Sequence, residues 1–252
     1  MAKLTGKEPL MIENPTVGDA FGEALLEELT IGNAFEVAER DDGHIGVHPI
    51  ARYFAEYPQW PPLEAKAIDS VGSRVLDVGA GAGRAALELQ NRGVEVLAVD
   101  TSPSAIDVCR SRGVAQVQHG TILDIPHDIE LFDTVLMLGG NFGFLQSPTA
   151  GRDFLMAVAA VTSPGAQLFG INTEPGLTED PAHLRYYARN QAAGRASGQL
   201  RLRIRHKRTA TPWFEYWLMS EQEIEQVVNG TPWRLAHLDR DGARYLATLI
   251  RE

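Results

Sequence analysis

The sequence predicts an α/β fold: a central parallel sheet completed by a C-terminal antiparallel hairpin, preceded by a helical N-terminal cap and interrupted by an inserted β-hairpin. Three observations carry this. Between Ser70 and Asn172, short apolar runs alternate with helix-period segments over short connections, as when parallel strands are joined through helices. A glycine-dense turn, Gly79 to Gly83, stands where the first of those runs passes into a helix. Two apolar runs flank Asp239-Arg240-Asp241-Gly242 near the end of the chain, which reads as a hairpin.

Taken in order, Asp19–Glu39 places Phe21, Leu25, Leu29, Phe35 and Ala38 at helical spacing. The turn Asp41-Asp42-Gly43 follows. Then comes a tract rich in aromatic and histidine side chains (His44, His48, Tyr53, Phe54, Tyr57, Trp60), broken by Pro58, Pro61 and Pro62 into short helical pieces. Residues 1–69 are therefore expected to form the cap.

The core is expected over residues 70–175. Arg74–Val78 is a strand, Arg84–Arg92 a helix closed by Gly93, and Val94–Asp100 a second strand. Ser102 caps the next helix, Pro103 takes its first position, and Gly113 ends it. Val114–Gln118 and Thr134–Leu138 are strands, Ser147-Pro148 opens a helix that stops before Pro164-Gly165, and Gln167–Asn172 is the fifth strand.

Residues 176–219 read as an insertion: a helix within Thr178–Ala196, then strands Gln199–Thr209 and Trp213–Met219 around Pro212. Residues 220–252 complete the sheet, with a Ser220/Glu223 capping box starting a helix that ends at Gly230, then Trp233–Leu238 paired with Ala243–Ile250.

With 252 residues, 44% hydrophobic and 22% charged, the chain is long enough for one α/β domain with attachments. Its net charge of −10 argues against nucleic acid as a partner. No apolar run is long enough to span a bilayer, so no membrane partner is expected. The single cysteine, Cys109, excludes an intrachain disulfide and a cysteine-rich metal site. A cytoplasmic location is the default expectation.

The chemistry is concentrated in Asp77-Val78-Gly79-Ala80-Gly81-Ala82-Gly83. Alternate glycines allow a sharp turn and close ligand approach, and the helix that follows presents free N–H groups to an anion. The dinucleotide fingerprint requires glycine at position 84, where Arg84 stands. The segment instead resembles the D-x-G-x-G-x-G motif of the class I S-adenosylmethionine (SAM) methyltransferases.

Three further elements resemble that family in the right order. Val94–Asp100 ends in an acidic residue, and a carboxylate there can accept hydrogen bonds from both ribose hydroxyls. Thr101-Ser102-Pro103 opens a helix. His119–Pro126 is similar to the family's adenine loop, with Thr121 where an acidic residue is common, which passes adenine recognition to Asp124 or to backbone.

The resemblance covers residues 70–172 and, loosely, the terminal hairpin. It implies a Rossmann-like fold, SAM as cofactor and S-adenosylhomocysteine as product. It places Asp77, Gly79, Ala80, Gly81, Gly83, Asp100, Thr101, Ser102, Thr121, Ile122, Asp124, Leu138 and Gly139 around the cofactor.

The fourth strand runs into Gly139-Gly140-Asn141-Phe142-Gly143, which in the family lies beside the transferable methyl group. Asn141 is expected to orient an acceptor or contact the methionine end of SAM. The segment from Glu39 to Trp60 is also similar to a set of bacterial methyltransferases with a GNNFG-like fourth motif. From it, His48 and Tyr53 are expected beside the acceptor, with His48 as a base because imidazole titrates near neutrality. Leu138, Gly139 and Gly140 supply no carboxylate for a catechol-type magnesium site, so no metal is expected.

Arg201, Arg203 and Arg205 form a polar strand face, either solvated or a rim for an anionic acceptor; Trp213, Phe214, Tyr216 and Trp217 either wall the pocket or fill a small satellite core, with the core favoured. The expected activity is methyl transfer to N or O of a small-molecule acceptor by in-line displacement, through positioning and exclusion of water. A non-catalytic SAM- or nucleotide-binding module, a protein or RNA methyltransferase, and an aminopropyl transferase are the alternatives.

Overall fold

The computed structural model describes residues 15–126 and 128–252; residues 1–14 of the expected cap lie outside the described residues. In chain order the elements are β1 (Thr16–Val17), α1 (Ala20–Thr30), β2 (Phe35–Arg40), β3 (Ile45–Pro49), α2 (Pro62–Asp69), β4 (Arg74–Val78), α3 (Arg84–Asn91), β5 (Glu95–Asp100), α4 (Pro103–Arg112), β6 (Val117–His119) and β7 (Phe132–Met137). They continue with α5 (Pro148–Ala160), β8 (Thr162–Thr173), α6 (Pro181–Ala192), β9 (Gln199–His206), β10 (Thr209–Ala210), β11 (Phe214–Trp217), α7 (Glu221–Val228), β12 (Trp233–Asp241) and β13 (Arg244–Arg251).

The main sheet has seven strands in the order β12-β13-β8-β7-β4-β5-β6. The strands β6, β5, β4, β7 and β8 are parallel, and β13 lies antiparallel between β8 and β12. The expected parallel core and terminal hairpin are thus both present. Val75, Leu76, Ala98, Val135, Leu136 and Leu168 are buried, as suits strands covered by helices on both faces. The chain winds outward from β4 through β5 and β6, then returns to β7 on β4's other side. This reversal opens a crevice at the carboxyl ends of β4 and β7, where open α/β sheets bind ligands.

The cap is not purely helical. The helix expected to run to Glu39 stops at Thr30, because Gly32 (φ 83°) and Asn33 (φ 61°) take left-handed conformations. Phe35–Arg40 is then a strand with inverted polarity: Phe35 is exposed, while Glu36 and Arg40 are buried. Ile45–Pro49 pairs with it as a hairpin around Asp41-Asp42-Gly43, where short helical pieces were expected.

The inserted strand β9 pairs with β2 on one side and with β11 on the other, so cap and insertion share a second, six-stranded sheet. Ion pairs reinforce this junction. Glu39 holds Arg203 (2.8 Å) and Arg205 (3.2 Å), and Asp41 holds Arg189 (3.2 Å). Arg203 and Arg201 also lie over the Trp213 ring. Two of the three arginines read as a possible anion rim are therefore paired with a carboxylate. No helix among the described residues is long and apolar enough to cross a membrane.

The packing of α2 against the core depends on a buried carboxylate. Glu64, 2% exposed, is ion-paired with Arg84 at the start of α3 and, at 3.2 Å, with Arg244 at the start of β13. Removing one partner of a buried pair leaves the other charges desolvated and uncompensated. Glu64→Ala is expected to lower unfolding free energy by about 3 kcal/mol. Urea denaturation followed by circular dichroism measures this, and an unchanged midpoint would show that the pairs contribute nothing.

Candidate active site

Two loops meet at the crevice. The first leaves β4 at Val78, and Gly79 N and Ala80 N both donate to Val99 O, at 2.8 and 3.1 Å, turning the backbone across the top of β5. A Cβ on Gly79 would lie 2.5 Å from Asn141 Nδ2, so a side chain there would displace Asn141. Gly81 (φ 57°) faces the cap, with Phe21 and Tyr53 ring atoms 3.9 Å from where its Cβ would be. Gly83 precedes the first residue of α3.

Asp100, at the end of β5, is 8% exposed. Its Oδ2 accepts from Gly81 N (2.8 Å) and its Oδ1 from Ser102 N (2.9 Å), so each oxygen keeps a lone pair for a further donor. Burial pushes its carboxyl above the usual range, while the Ser102 and Gly81 N–H groups oppose that. Asp77 is more deeply placed: it is 3% exposed, and Oδ2 has no hydrogen-bond partner. Burial, and then the charge of Asp100, push its carboxyl up to about 7, with Arg84 opposing.

Ser102 caps α4, accepting from Ala105 N at 2.9 Å and donating to Asp19 Oδ2 at 2.8 Å, which ties the cap helix to the core. Thr101 is exposed, and its carbonyl lies 3.1 Å from His119 Nε2. In the expected adenine loop, Asp124 Oδ2 accepts from Thr121 N (2.7 Å) and Thr121 Oγ1 (2.8 Å). These bonds hold its carboxyl below the usual range and leave Oδ1 for other partners. Ile122 beside it is buried.

The second loop follows β7. Leu138 is buried, Gly139 (φ 65°) and Gly140 (φ 99°) turn the chain, and Asn141 begins a short 3-10 turn. Asn141 Nδ2 donates to Gly79 O (2.7 Å) and Val78 O (3.0 Å), so its amide clasps the glycine loop. Tyr216 fastens the same loop from the insertion: its hydroxyl donates to Gly140 O at 2.6 Å, and its ring fills the space beside Gly143. Burial pushes this phenol up to about 12. The sequence favours a satellite core over a pocket wall for Tyr216 and does not point to its bond with the β7 loop.

On the cap side, Tyr53 donates to Glu36 Oε1 (3.0 Å) and accepts from Arg52 Nη2 (2.6 Å), and Arg52 is also ion-paired with Glu36. Burial, and then the charge of Glu36, push the Tyr53 phenol up, so it stays a donor. His48 stands opposite Glu36 in the β2–β3 pair and shares its face. The structure therefore brings Tyr53 to the glycine loop, while His48 lies one strand away beside Glu36. Glu36 and Arg52 were not singled out in the sequence, because their roles depend on contacts across the hairpin.

Comparison with known proteins agrees with this geometry. Residues 75–165 match the methyltransferase domain family. That match runs from β4 into β8, the parallel core that carries the glycine loop and Asp100. An uncharacterized methyltransferase of Mycobacterium tuberculosis (strain H37Rv) is 38% identical over 95 residues, 35% of this chain and 37% of that protein. A demethylmenaquinone methyltransferase of Clavibacter sepedonicus is 32% identical over 114 residues, 43% of this chain and 45% of that protein. The chain thus spans less than half the length of either relative.

The fold agreement extends further. A SAM-dependent methyltransferase from Bacteroides fragilis, solved with S-adenosyl-L-homocysteine, superposes with a TM-score of 0.78 at 23% identity, covering 94% of this chain and 98% of that one.

The Asp77 carboxyl makes stability pH-dependent. Its folded pKa, about 7, lies above the ordinary aspartate value of 3.8. The folded state therefore holds the proton more tightly, and this contribution to stability is full below about pH 4 and lost as pH rises through 7. Asp77→Asn should remove the dependence, gaining roughly 2–4 kcal/mol on the ligand-free wild type between pH 4 and pH 8. Denaturation curves of both proteins at the two pH values test this, and parallel pH profiles would show that Asp77 titrates normally.

Proposed function

We propose that the chain transfers the methyl group of SAM to nitrogen or oxygen of a small-molecule acceptor. The observation that carries this reading is the buried Asp100 carboxylate, fixed by Gly81 N and Ser102 N with one lone pair spare on each oxygen. That arrangement fits the two vicinal hydroxyls of a ribose. The orphaned Oδ2 of Asp77 fits a cationic group lying over the glycine loop, and SAM has one at its methionyl end. Thr121, Ile122 and the free Oδ1 of Asp124 would border the adenine, and Leu138 and Gly139 the sulfur.

SAM supplies a methyl group already activated by the sulfonium, so the protein's work is to position the acceptor and exclude water. Asn141 holds the β4 and β7 loops at fixed separation, and Tyr53 closes the site from the cap as a hydrogen-bond donor. His48, beside Glu36 in the cap hairpin, would take a proton only from an acceptor bound on the cap side of the glycine loop. A small acceptor is supported by the second sheet, whose strand β11 reaches the β7 loop through Tyr216, and by the Clavibacter relative, which is named for demethylmenaquinone.

Asp100→Ala tests the cofactor arrangement. It should weaken SAM binding by about 2–4 kcal/mol, since hydrogen bonds to a charged group contribute about 1.5–3 kcal/mol each and do not add fully. The variant also frees Gly81 N and Ser102 N, so Asp100→Asn is the companion that keeps one acceptor oxygen. Calorimetry showing wild-type affinity in both would place the ribose elsewhere.

A further inference from the structure

We propose that the acceptor lies in a cavity of about 530 Å³ between the end of β8 and the insertion, and that it presents an amino group on an apolar body. This rests on the methyltransferase reading and adds to it the chemical class of the acceptor.

Position comes first. Thr173, the last residue of β8, lines the cavity, and β8 pairs in parallel with β7, which runs into the Gly139–Gly140 turn. Leu200 and Leu218 form a second wall. They pack in one cluster with Tyr216, whose hydroxyl is bonded to Gly140 O. The insertion wall of the cavity is therefore tied through Tyr216 to the loop that follows β7.

Charge narrows the ligand. Two carboxylates, Glu174 and Glu179, line the cavity, and no lysine or arginine does. Arg240 stands 3.7 Å from Glu174, too far for a direct hydrogen bond, and also pairs with Glu221 at 3.1 Å. Arg40 is 3% exposed and engaged with Asp42 and with His183.

His183 is a neutral wall residue. Arg40 Nη1 lies 2.8 Å from His183 Nδ1, and a guanidinium has donors only, so Nδ1 must accept and the ring proton sits on Nε2. Burial, followed by the charge of Arg40, lowers the imidazole pKa in keeping with that. His183 thus offers a donor and neither a positive charge nor a free lone pair. Leu177, Leu200, Leu218 and the Tyr187 ring supply the apolar surface, with Tyr187 stacked on His183 at 16°. An anionic acceptor would meet two carboxylates here, whereas an ammonium meets its complement, and Glu174 or Glu179 can take the proton it must lose before the nitrogen lone pair attacks the methyl carbon and S-adenosylhomocysteine leaves.

The test uses three probes that share one body: 2-phenylethylamine, 2-phenylethanol and 3-phenylpropionate. Each is titrated by NMR into the full chain with and without S-adenosylhomocysteine. The amine should bind at least about tenfold more tightly than the other two, a difference of 1.4 kcal/mol. Glu174→Gln combined with Glu179→Gln should erase that preference. Leu177→Trp, at an exposed rim position, should block the amine while leaving S-adenosylhomocysteine affinity unchanged.

No amine binding, equal or tighter binding of the propionate, or amine binding that survives Leu177→Trp would overturn the proposal. Amine binding without S-adenosylhomocysteine binding would retain the cavity's ligand class and refute the methyltransferase reading instead.

Discussion

The contact on which the site depends is the amide of Asn141 reaching across the crevice to the carbonyls of Val78 and Gly79. Two parallel strands fix their own spacing through ladder hydrogen bonds, but beyond their ends the loops are free to part. Asn141 closes that freedom from the β7 side, and the closure is possible only because position 79 has no Cβ. Asp100 does the same one strand away, holding Gly81 and Ser102 on a single buried carboxylate. The glycine loop is thus clasped from both flanks by the protein's own side chains, the kind of preorganisation that catalysis by positioning requires.

The second sheet extends that order outward. Its central strand, β9, comes from the insertion and joins the cap hairpin to β11, so neither segment is held by the core alone. Residues 181–210 contain several arginines and no acidic residue, while the cap hairpin is acidic. Glu39 and Asp41 meet Arg203, Arg205 and Arg189 across that junction. Tyr216 then carries the connection to the catalytic crevice through Gly140. Tyr53 does so from the cap through its ring beside Gly81. Cap and insertion therefore approach the two loops from different sides and leave the 530 Å³ cavity where the insertion meets the end of β8.

Much of the core was legible in the sequence because its information is local. Val75-Leu76, Val96–Val99 and Val135–Leu136 are apolar on both faces, α4 and α5 carry their own serine caps, and the glycine motif and Asp100 occupy strand ends that the pattern alone locates. The cap was not legible in the same way. Phe35 and Ala38 fall at helical spacing, yet the segment is a strand that buries Glu36 and Arg40 and exposes Phe35, and β9, which pairs with it, lies far along the chain. The same distance concealed the Glu36–Arg52–Tyr53 group, the Tyr216 bond to Gly140 and the pairing of His183 with Arg40. Each needs two segments brought together by the fold, and no spacing rule within either segment encodes it.

The account stands on the identity of the ligand over the glycine loop. Calorimetric titration of the full chain with SAM, S-adenosylhomocysteine and NAD tests it most directly. Arg84 stands where a dinucleotide-binding helix would need glycine, and Asp77 Oδ2 is buried beneath the loop without a hydrogen-bond partner. The account predicts saturable binding of SAM and S-adenosylhomocysteine with one site per chain, and NAD binding weaker by orders of magnitude. Tight NAD binding with no heat from SAM would contradict it.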